Sequence, residues 1–360
     1  MGNVQWGEYS YSKLFKLLPI KNILAKDDLD ENGNTEVYSS ISTNNGIMGY
    51  TSLKPDYIIT QDTPYYVCFG DHTRTFNIVK NNFSVMDNVK VLMPLNKFSI
   101  KSLIFITSSW RKGVPSKGYA RHWSLARKAK IQLPTNNNEI DFEFMESFVA
   151  ELEAQRLAEL EAYLTVTGLK DYVLTEEEEK AIKDFECLDW LEFNLLSLFG
   201  KSTRGKRLKS ADRIPGKLPF ITAGEANEGF SDYIGNDVEV FPENTITIDM
   251  FGSAKYRNYE YGCDDHIAVV HTEEVSKNAA IFITSAIHKS SYNGQFHYGR
   301  NFYAKDADEL NIMLPVNSGG NIDYEYMSTL LSAIQKLVIK DVVLWADKKI
   351  EATKHIINKQ

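Results

Sequence analysis

The stretch Ile104-Phe105-Ile106-Thr107-Ser108 occurs a second time, letter for letter, as Ile281-Phe282-Ile283-Thr284-Ser285. Working outward toward the start of each copy, Trp6-Gly7-Glu8-Tyr9 corresponds to Trp190-Leu191-Glu192-Phe193. The paired anchors keep their order, while their separation along the chain drifts by a few residues. Insertions and deletions in loops between fixed elements produce such a drift, so the pattern indicates one unit that is built twice.

The repeat continues on the other side of the shared stretch. Tyr119-Ala120-Arg121 corresponds to Tyr298-Gly299-Arg300. Residues 131–145 then correspond to 312–327, each with an Ile-x-Leu-Pro motif and an Ile-Asp pair followed by aromatic residues. Two similar modules on one chain predict recognition of something that itself has two similar halves.

The bulk composition allows two ordinary domains. The chain has 360 residues, of which 43% are hydrophobic, so each half is able to form its own core. The sequence has no apolar run of membrane-spanning length and no charged-then-apolar leader, which predicts a soluble, cytoplasmic protein without a membrane partner. Cys68, Cys187 and Cys263 show no paired spacing, so buried thiols are favoured over disulfides or metal ligands.

Each module is expected to mix strands and helices. In the first, β-rich runs predict strands, and the apolar spacing predicts a helix from Ser99 to Trp110; the runs are 57–60, 65–69, 75–79 and 89–92. In the second, strands are predicted at 245–248 and 266–270, and the matching helix at Ser276–Lys289.

A long amphipathic helix is predicted after each module, with Asp141 and Asp323 placed as N-caps. A further helix should begin at Thr175, because the acidic residues 176–179 are favoured at the positive, N-terminal end of the helix dipole. The two long helices are expected to pack as an antiparallel coiled coil. The predicted fold class is therefore α+β, with two similar mixed domains at 1–138 and 188–321 and spacer helices at 139–187 and 322–360.

Charge is distributed unevenly along the chain. The formal net charge is −8, which argues against a simple basic nucleic-acid binder. However, residues 101–131 hold eight Lys or Arg and no acidic residue, and residues 201–217 hold seven against Asp212 alone. The acidic residues are concentrated in the predicted spacer helices. Local sign matters more than the total when a polyanion is the partner, so the modules are expected to carry basic faces.

The sequence carries no recognisable catalytic motif. It has no glycine-rich phosphate loop and no Asn-Pro-Pro-Tyr type loop. No Glu-x-Lys follows Pro55-Asp56 within the first module to complete a nuclease site, and Glu178-Glu179-Lys180 has these letters but lies at a predicted helix start in a run of charges. Cys263, Asp264, Asp265 and His266 form a possible metal cluster, but a tight turn entering a strand is the favoured interpretation because the first copy has no equivalent ligand set. We expect no catalytic residue, no metal site and no cofactor.

Loops that combine glycine, basic and aromatic residues are the strongest binding signal. Residues 69–74 and 251–257 are interpreted as corresponding loops, each with a Gly turn before a polar and basic tip. Basic residues also follow the helix in each module. Arg, Lys and Asn side chains hold phosphates and read base edges, although any one of these residues is equally well a solvated loop residue.

The second half resembles the DNA-specificity (S) subunits of type I and type IIB restriction-modification systems. The resemblance rests on 190–193, 205–208, 212–216, 219–225 and 247–252, and then on 298–302 and Leu314-Pro315. The segment 163–169 is also similar to this family. The first half is looser, with Tyr38 to Gly46 standing where Phe220 to Gly229 stands.

The resemblance implies two target-recognition domains, each reading half of a bipartite double-stranded DNA sequence. It also implies that the spacer helices set the gap and dock methyltransferase and nuclease subunits, while this chain is not itself an enzyme. A second hypothesis is a non-catalytic decoy or scaffold that binds the partner subunits without DNA. The predicted DNA contacts are Thr43, Asn44, His72, Arg74, Lys112, Lys117, Arg121, His122, Lys206, Arg207, Lys209, Arg213, Lys255, Tyr256, Arg257, Arg300, Asn301 and Lys305.

Overall fold

A computed structural model describes residues 4–357, and the chain divides into two compact units, Met1–Glu159 and Leu160–Gln360. This boundary lies inside a helix and near the middle of the chain, as a twofold repeat requires. The finer division at 138, 187 and 321 stays a prediction. Within the described residues, none of the helices has an apolar stretch of the length and hydropathy needed to cross a membrane.

The first unit is a mixed α and β domain that ends in a long helix. Its strands are β1 Gln5–Tyr9, β2 Phe15–Leu17, β3 Thr35–Tyr38, β4 Ile47–Thr51, β5 Tyr66–Gly70, β6 Thr75–Val79, β7 Phe83–Val85, β8 Val89–Pro94, β9 Ile131–Asn136 and β10 Glu139–Ile140. Its helices are α1 Ile100–Lys112, α2 Trp123–Ala126 and α3 Phe142–Val166, the last of which crosses the boundary between the units.

The second unit contains the same kinds of element. Its helices are α4 Glu176–Asp184, α5 Leu195–Phe199, α6 Lys277–Ser291, α7 Ala304–Glu309 and α8 Tyr324–Ile357. Its strands are β11 Trp190–Asn194, β12 Thr203–Arg204, β13 Pro215–Ile221, β14 Phe230–Ile234, β15 Thr245–Asp249, β16 Ala254–Arg257, β17 Gly262–Cys263, β18 Ile267–Val270 and β19 Asn311–Pro315.

The sheets of the two units have the same topology. The order β2-β8-β5-β6 in the first unit recurs as β12-β18-β15-β16 in the second, and β4-β3-β7 recurs as β14-β13-β17. In the sheets β4-β3-β7 and β14-β13-β17, the middle strand has one antiparallel and one parallel neighbour. The sequence repeat is therefore a repeat of strand order and direction.

The repeated sequence anchors occupy equivalent places in the two units. Trp6 pairs with Pro134 across β1 and β9, and Trp190 pairs with Pro315 across β11 and β19. Trp6 stacks on Phe105 with ring centroids 6.3 Å apart, and Trp190 stacks on Phe282 at 6.2 Å. Phe105 and Phe282 belong to the shared five-residue stretch. The same residues thus join the main helix of each unit to its first strand.

The helix caps follow the sequence predictions. The Ser99 hydroxyl accepts from the backbone N–H of Ser102 at the start of α1, and Ser276 accepts from Ala279 at the start of α6. The Asp141 carboxylate accepts from Phe144 N at 2.9 Å, as the Asp323 carboxylate does from Tyr326 N at 2.8 Å. Local polar residues therefore fix where both module helices and both long helices begin.

Helix α4 runs antiparallel along the first half of α8 within the second unit. The Tyr326 hydroxyl donates to the Ala181 carbonyl at 2.6 Å. The buried Glu178 closes the predicted capping box with Thr175 and also accepts from Ser332 and pairs with Lys336 at 3.0 Å. The acidic run therefore contains one residue that attaches α4 to α8 as well as residues that favour the helix dipole. Packing of α3 against α8 as a coiled coil stays a prediction.

Two local predictions were wrong. Residues 57–60 form only an isolated bridge between Tyr57 and Phe83, because Tyr57 is held in the core by stacking on Phe83 rather than by a strand ladder. Gly70 and Gly252 do not correspond. Gly70 is the last residue of β5, whereas Gly252 lies in the turn after β15 with φ +86°. The left-handed residue at the equivalent place in the first hairpin is Arg74, with φ +57°.

Candidate nucleic-acid interface

Three loops of the first unit are joined by hydrogen bonds at one place. They are residues 39–46, 71–74 and 114–123, which we call the first three-loop cluster. The Ser40 hydroxyl accepts from His72 N at 2.9 Å, which joins the first loop to the second. The Arg74 guanidinium donates to the Val114 carbonyl at 2.7 Å, which joins the second loop to the third. The cluster therefore behaves as one structure rather than as three separate loops.

The buried Asp71 and His122 form the centre of the first three-loop cluster. One carboxylate oxygen of Asp71 accepts from the backbone N–H of His122 at 2.7 Å and of Trp123 at 2.6 Å. The His122 ring donates from Nδ1 to the Asp71 carbonyl and accepts at Nε2 from Lys117 N, each at 3.0 Å. Because these buried polar groups satisfy one another, the tip of the hairpin and the loop that carries Lys117 have a fixed relative position.

The second unit builds an equivalent cluster from residues 222–229, 250–253 and 291–303, which we call the second three-loop cluster. The Asp249 carboxylate at the end of β15 accepts from Gly224 N at 3.2 Å. The Ser291 hydroxyl donates to the Gly252 carbonyl at 2.6 Å, and Phe302 N donates to the Met250 carbonyl at 2.9 Å. The same three connections of the fold thus meet in both units.

The first loop of each cluster has the same backbone conformation. Asn44, Asn45 and Gly46 have φ values of +46°, +49° and +81°, and Asn227, Glu228 and Gly229 have +48°, +55° and +79°. Both turns are closed by a backbone bond to the loop's glycine carbonyl, from Ser39 N at 2.9 Å and from Thr222 N at 2.8 Å. Three consecutive left-handed residues are rare, so this match is evidence of a common loop with different side chains.

Comparison with known proteins agrees with this duplication. The sequence matches the family described as "Type I restriction modification DNA specificity domain" over residues 3–162 and again over 188–343. The chain belongs to this family. Each match contains one of the two three-loop clusters, so both clusters lie in specificity domains.

One relative and one solved structure illustrate the range of similarity. The chain is 22% identical over 345 residues to the specificity subunit S.BcgI of a type II restriction enzyme from Heyndrickxia coagulans, covering 93% of this chain and 96% of that protein. Its fold is similar to the crystal structure of a type I restriction-modification S subunit from M. genitalium, with a TM-score of 0.58 at 16% identity. That alignment covers 100% of this chain and 96% of the other.

Several predicted contact residues lie exposed on the clusters of the two specificity domains. In the first domain, Thr43 and Asn44 are exposed on one loop, and Lys117 and Arg121 on another. Lys112 is exposed at the end of α1, while His72 and Arg74 are half-buried in the hairpin turn. In the second domain, a surface cleft of about 450 Å³ is lined by a set of residues that includes Arg300, Asn301 and Lys305.

Two predicted contacts are corrected by the structure. Arg257 is 1% exposed and His122 is 0% exposed, and the polar atoms of both side chains are directed inward. The Arg257 guanidinium donates to the Glu228 carbonyl at 2.7 Å and to the Thr247 hydroxyl at 3.0 Å. Arg257 therefore supports the left-handed turn of the second cluster, and His122 supports the first cluster. Neither side chain is positioned to touch a ligand.

The Arg257→Ala substitution is expected to destabilise the second domain rather than to change what it binds. It leaves buried acceptors without a donor and opens a cavity, which costs roughly 3 kcal/mol. We expect thermal melting of the full chain to shift down by about 6 °C or more for the transition of that domain. Lys209→Ala, an exposed control, should change stability by less than about 0.5 kcal/mol. An Arg257→Ala protein that melts like the wild type would show that Arg257 is not structural.

Lys255 and Tyr256 have internal partners. Lys255 lies 3.2 Å from the Glu225 carboxylate and 3.7 Å from Asp249. Partial burial acts to raise the pKa of Glu225, but hydrogen bonding from Ser253 and the charge of Lys255 hold that pKa below its ordinary value. Lys255 is thus neutralised within the cluster. The Tyr256 hydroxyl donates to Asn244 at 2.8 Å.

The basic segment 205–213 is attached to the second domain by three contacts. Leu208 N donates to the Asp264 carboxylate at 3.3 Å, and Arg213 donates to the Ser231 hydroxyl at 2.7 Å. Arg213 also lies over the Phe220 ring at 5.1 Å. Lys206, Arg207 and Lys209 are exposed, so this segment presents three cationic side chains to solvent.

Asp264, Asp265 and His266 lie close enough to share an ion, and the turn interpretation accounts for their geometry. The Asp264 carboxylate accepts from the backbone of Asp265 at 2.9 Å, and its carbonyl accepts from Ile267 N at 3.2 Å as β18 begins. Burial raises the pKa of the Cys263 thiol to about 12, so the adjacent sulfur is held as a neutral thiol. The Asp264 carboxylate, which a metal ion would need as a ligand, already accepts hydrogen bonds from the backbone N–H groups of Leu208 and Asp265.

Tyr119 and Tyr298 are absent from the predicted contact residues, yet they are the most exposed aromatic side chains in the described part of the chain. They are 86% and 85% exposed, and each lies in the last loop of its cluster. Their signal in the sequence was the repeated tripeptide Tyr-x-Arg. The repeat identified the two tyrosine positions, but their exposure could not be predicted because it depends on the fold.

Proposed function

We propose that this chain is the DNA-specificity subunit of a restriction-modification complex and has no catalytic activity of its own. Each specificity domain reads one half of a bipartite double-stranded target in a groove. The observation that carries the proposal is the three-loop cluster, which the two domains build from the same connections and line with different side chains. A common frame in each domain suits two readers, one for each half-site.

The side chains on the two clusters have the chemistry that base reading needs. Arginine donates in a bidentate manner to guanine and asparagine pairs with adenine, and both types are exposed on the clusters. Arg121 and Arg300 follow the repeated tyrosine at the same distance, and Asn44 and Asn227 occupy the same position of the left-handed turn. Four exposed basic side chains suit phosphate contacts that position the domain without reading sequence: Lys117, Lys206, Arg207 and Lys209.

The long helices support the docking of partner subunits. Helix α8 leaves several large apolar side chains on the surface, including Val338 at 74% exposed and Trp345 at 52%. Apolar side chains that accumulate on one exposed helix are typical of a surface that another protein covers. The predicted coiled coil with α3 would cover part of this surface, and we assign the apolar side chains that it leaves exposed to the methyltransferase and nuclease subunits.

Helix α3 supports a fixed gap between the two half-sites. It is continuous over 25 residues and crosses the boundary between the units. At about 1.5 Å per residue this is roughly 38 Å, close to the 34–36 Å of one duplex turn. A helix of this length suits a spacer between two major-groove contacts one duplex turn apart.

Phosphate contacts give the test that separates a DNA reader from a decoy. Lys117→Ala or Lys206→Ala should weaken binding of the assembled complex to all DNA sequences alike. Each should reduce the slope of log affinity against log salt by about one for each contact that is lost. Binding is measured over a salt series with one duplex that contains the target and one that lacks it.

Lys183→Ala is the matched control because Lys183 lies on the acidic helix α4 beside Glu179, at 3.5 Å. Its salt slope should equal that of the wild type. If the wild-type complex co-purifies with its methyltransferase subunit but does not bind DNA at low salt, the decoy hypothesis is correct and this proposal is wrong. An unchanged slope for both lysine variants would place Lys117 and Lys206 in solvent.

A further inference from the structure

The repeated tyrosines occupy the same exposed position in the two clusters. Tyr119 lies in the loop after α1 and Tyr298 in the loop after α6, two residues before Arg121 and Arg300 respectively. An aromatic ring that is 85% or more exposed contributes little to a folded core. Its presence at one position in both copies requires an explanation outside folding.

Both rings are held in place rather than free. Tyr119 stacks on His72, at the tip of the first hairpin, with ring centroids 4.7 Å apart and an angle of 12° between the rings. The His72 Nδ1 donates to the Tyr119 carbonyl at 2.9 Å, which fixes the backbone as well. Tyr298 meets Phe251, at the tip of the second hairpin, edge to face at 5.2 Å. In both domains the hairpin tip thus supports an outward-facing tyrosine.

The loop beneath Tyr298 is also closed. His297 N donates to the Arg300 carbonyl at 3.0 Å, and Arg300 N donates to the His297 carbonyl at 2.8 Å. The Arg300 guanidinium lies 5.5 Å from the Phe296 ring. A preorganised aromatic side chain loses little conformational freedom when it binds, which makes it an efficient contact residue.

We propose that Tyr119 and Tyr298 are base-contacting residues, one for each half of the target. This inference rests on the proposed function and names residues that deepen it. Each phenol ring gives apolar contact to base edges such as the thymine methyl group, and its hydroxyl is available to a base-edge donor or acceptor. The adjacent Arg121 and Arg300, which we propose read guanine, place each ring beside the neighbouring base pair. Tyr119 is held by His72 and Tyr298 by Phe251, so a different side chain positions the tyrosine in each domain.

The test uses the assembled complex and maps methylated sites in genomic DNA for the wild type, Tyr119→Ala and Tyr298→Ala. Each variant should lose about tenfold of its base preference at one or more positions of its own half-site, and the other half should be unchanged. Tyr119→Phe and Tyr298→Phe distinguish the contribution of the ring from that of the hydroxyl, because phenylalanine keeps the ring contact and loses only the hydroxyl. Tyr50→Ala is the control, since Tyr50 is 44% exposed on β4 outside the cluster loops.

The outcomes separate this inference from the proposed function. If the wild type methylates a bipartite sequence and both alanine variants read it unchanged, the tyrosines do not contact bases and only this inference fails. If the alanine variants no longer co-purify with the methyltransferase subunit, the rings belong to a protein interface and the inference is again wrong. A wild-type complex without sequence preference would contradict the proposed function itself.

Discussion

Inserting four residues into the middle of α3 should change the number of base pairs between the two halves of the target while leaving both halves intact. Residues 151–156 are all exposed, so a duplicate of 154–157 placed there extends the helix without displacing a buried side chain of the first domain. The insertion lengthens α3 by about 6 Å and rotates the second domain relative to the first by roughly 40°. At about 3.4 Å per base pair, the gap should change by on the order of two pairs.

Methylation-site sequencing of the assembled complex measures the gap directly. The matched control replaces 155–157 with alanine, so that 154–157 becomes four alanines; this keeps the helix length and should keep the gap. Ala, like the native residues, has a high helix propensity, so the control tests length alone. An insertion variant with the original gap would show that α3 does not set the spacing, and an altered base preference would show that the domains do not read independently.

Replacing Arg300 with alanine should relax base preference in one half of the target only. Arg300 is exposed in the closed loop of the second cluster, and a bidentate arginine–guanine contact discriminates by roughly 1–3 kcal/mol, or about tenfold to a hundredfold. Arg300→Lys keeps the charge and loses the fork, so it should keep much of the affinity and lose most of the discrimination.

Arg121→Ala provides the mirrored control, because Arg121 is exposed at the equivalent place in the first domain. It should blur the other half of the target. Methylation mapping measures the base preference of both variants. Co-purification of the methyltransferase subunit confirms that each complex is intact. The two-reader hypothesis is wrong if Arg300→Ala blurs both halves equally.

The sequence was sufficient where local chemistry decides the structure. The repeat predicted two units of one topology, and the run 75–79 predicted β6 with the bounds that the structure gives. Asp141 and Asp323 were predicted to be helix caps, and the structure confirms both. Ser99 and Ser276 were predicted as the first residues of their helices, and both are caps. These positions were predictable because a cap bonds to an amide only three residues away. Interactions of this range are visible in the sequence itself.

The sequence was insufficient where the partner is far along the chain. Arg257 was predicted to be a DNA contact because arginines in loops often are, but its guanidinium bonds to the carbonyl of Glu228. His122 was predicted in the same way, and its partner is Asp71 in another loop. The alignment of Gly70 with Gly252 failed for a related reason, since the left-handed position of a hairpin turn is filled by Arg74 in one copy and by glycine in the other.

Mapping the methylated positions of the wild-type complex tests the central claim most directly. The chain is expressed with its methyltransferase subunit in a host that lacks methylation of its own, and modified bases are located across the genome. Two readers on one chain predict two short defined sequences at a fixed separation, with the bases between them unspecified. One contiguous recognition sequence, or methylation without sequence preference, would contradict the account.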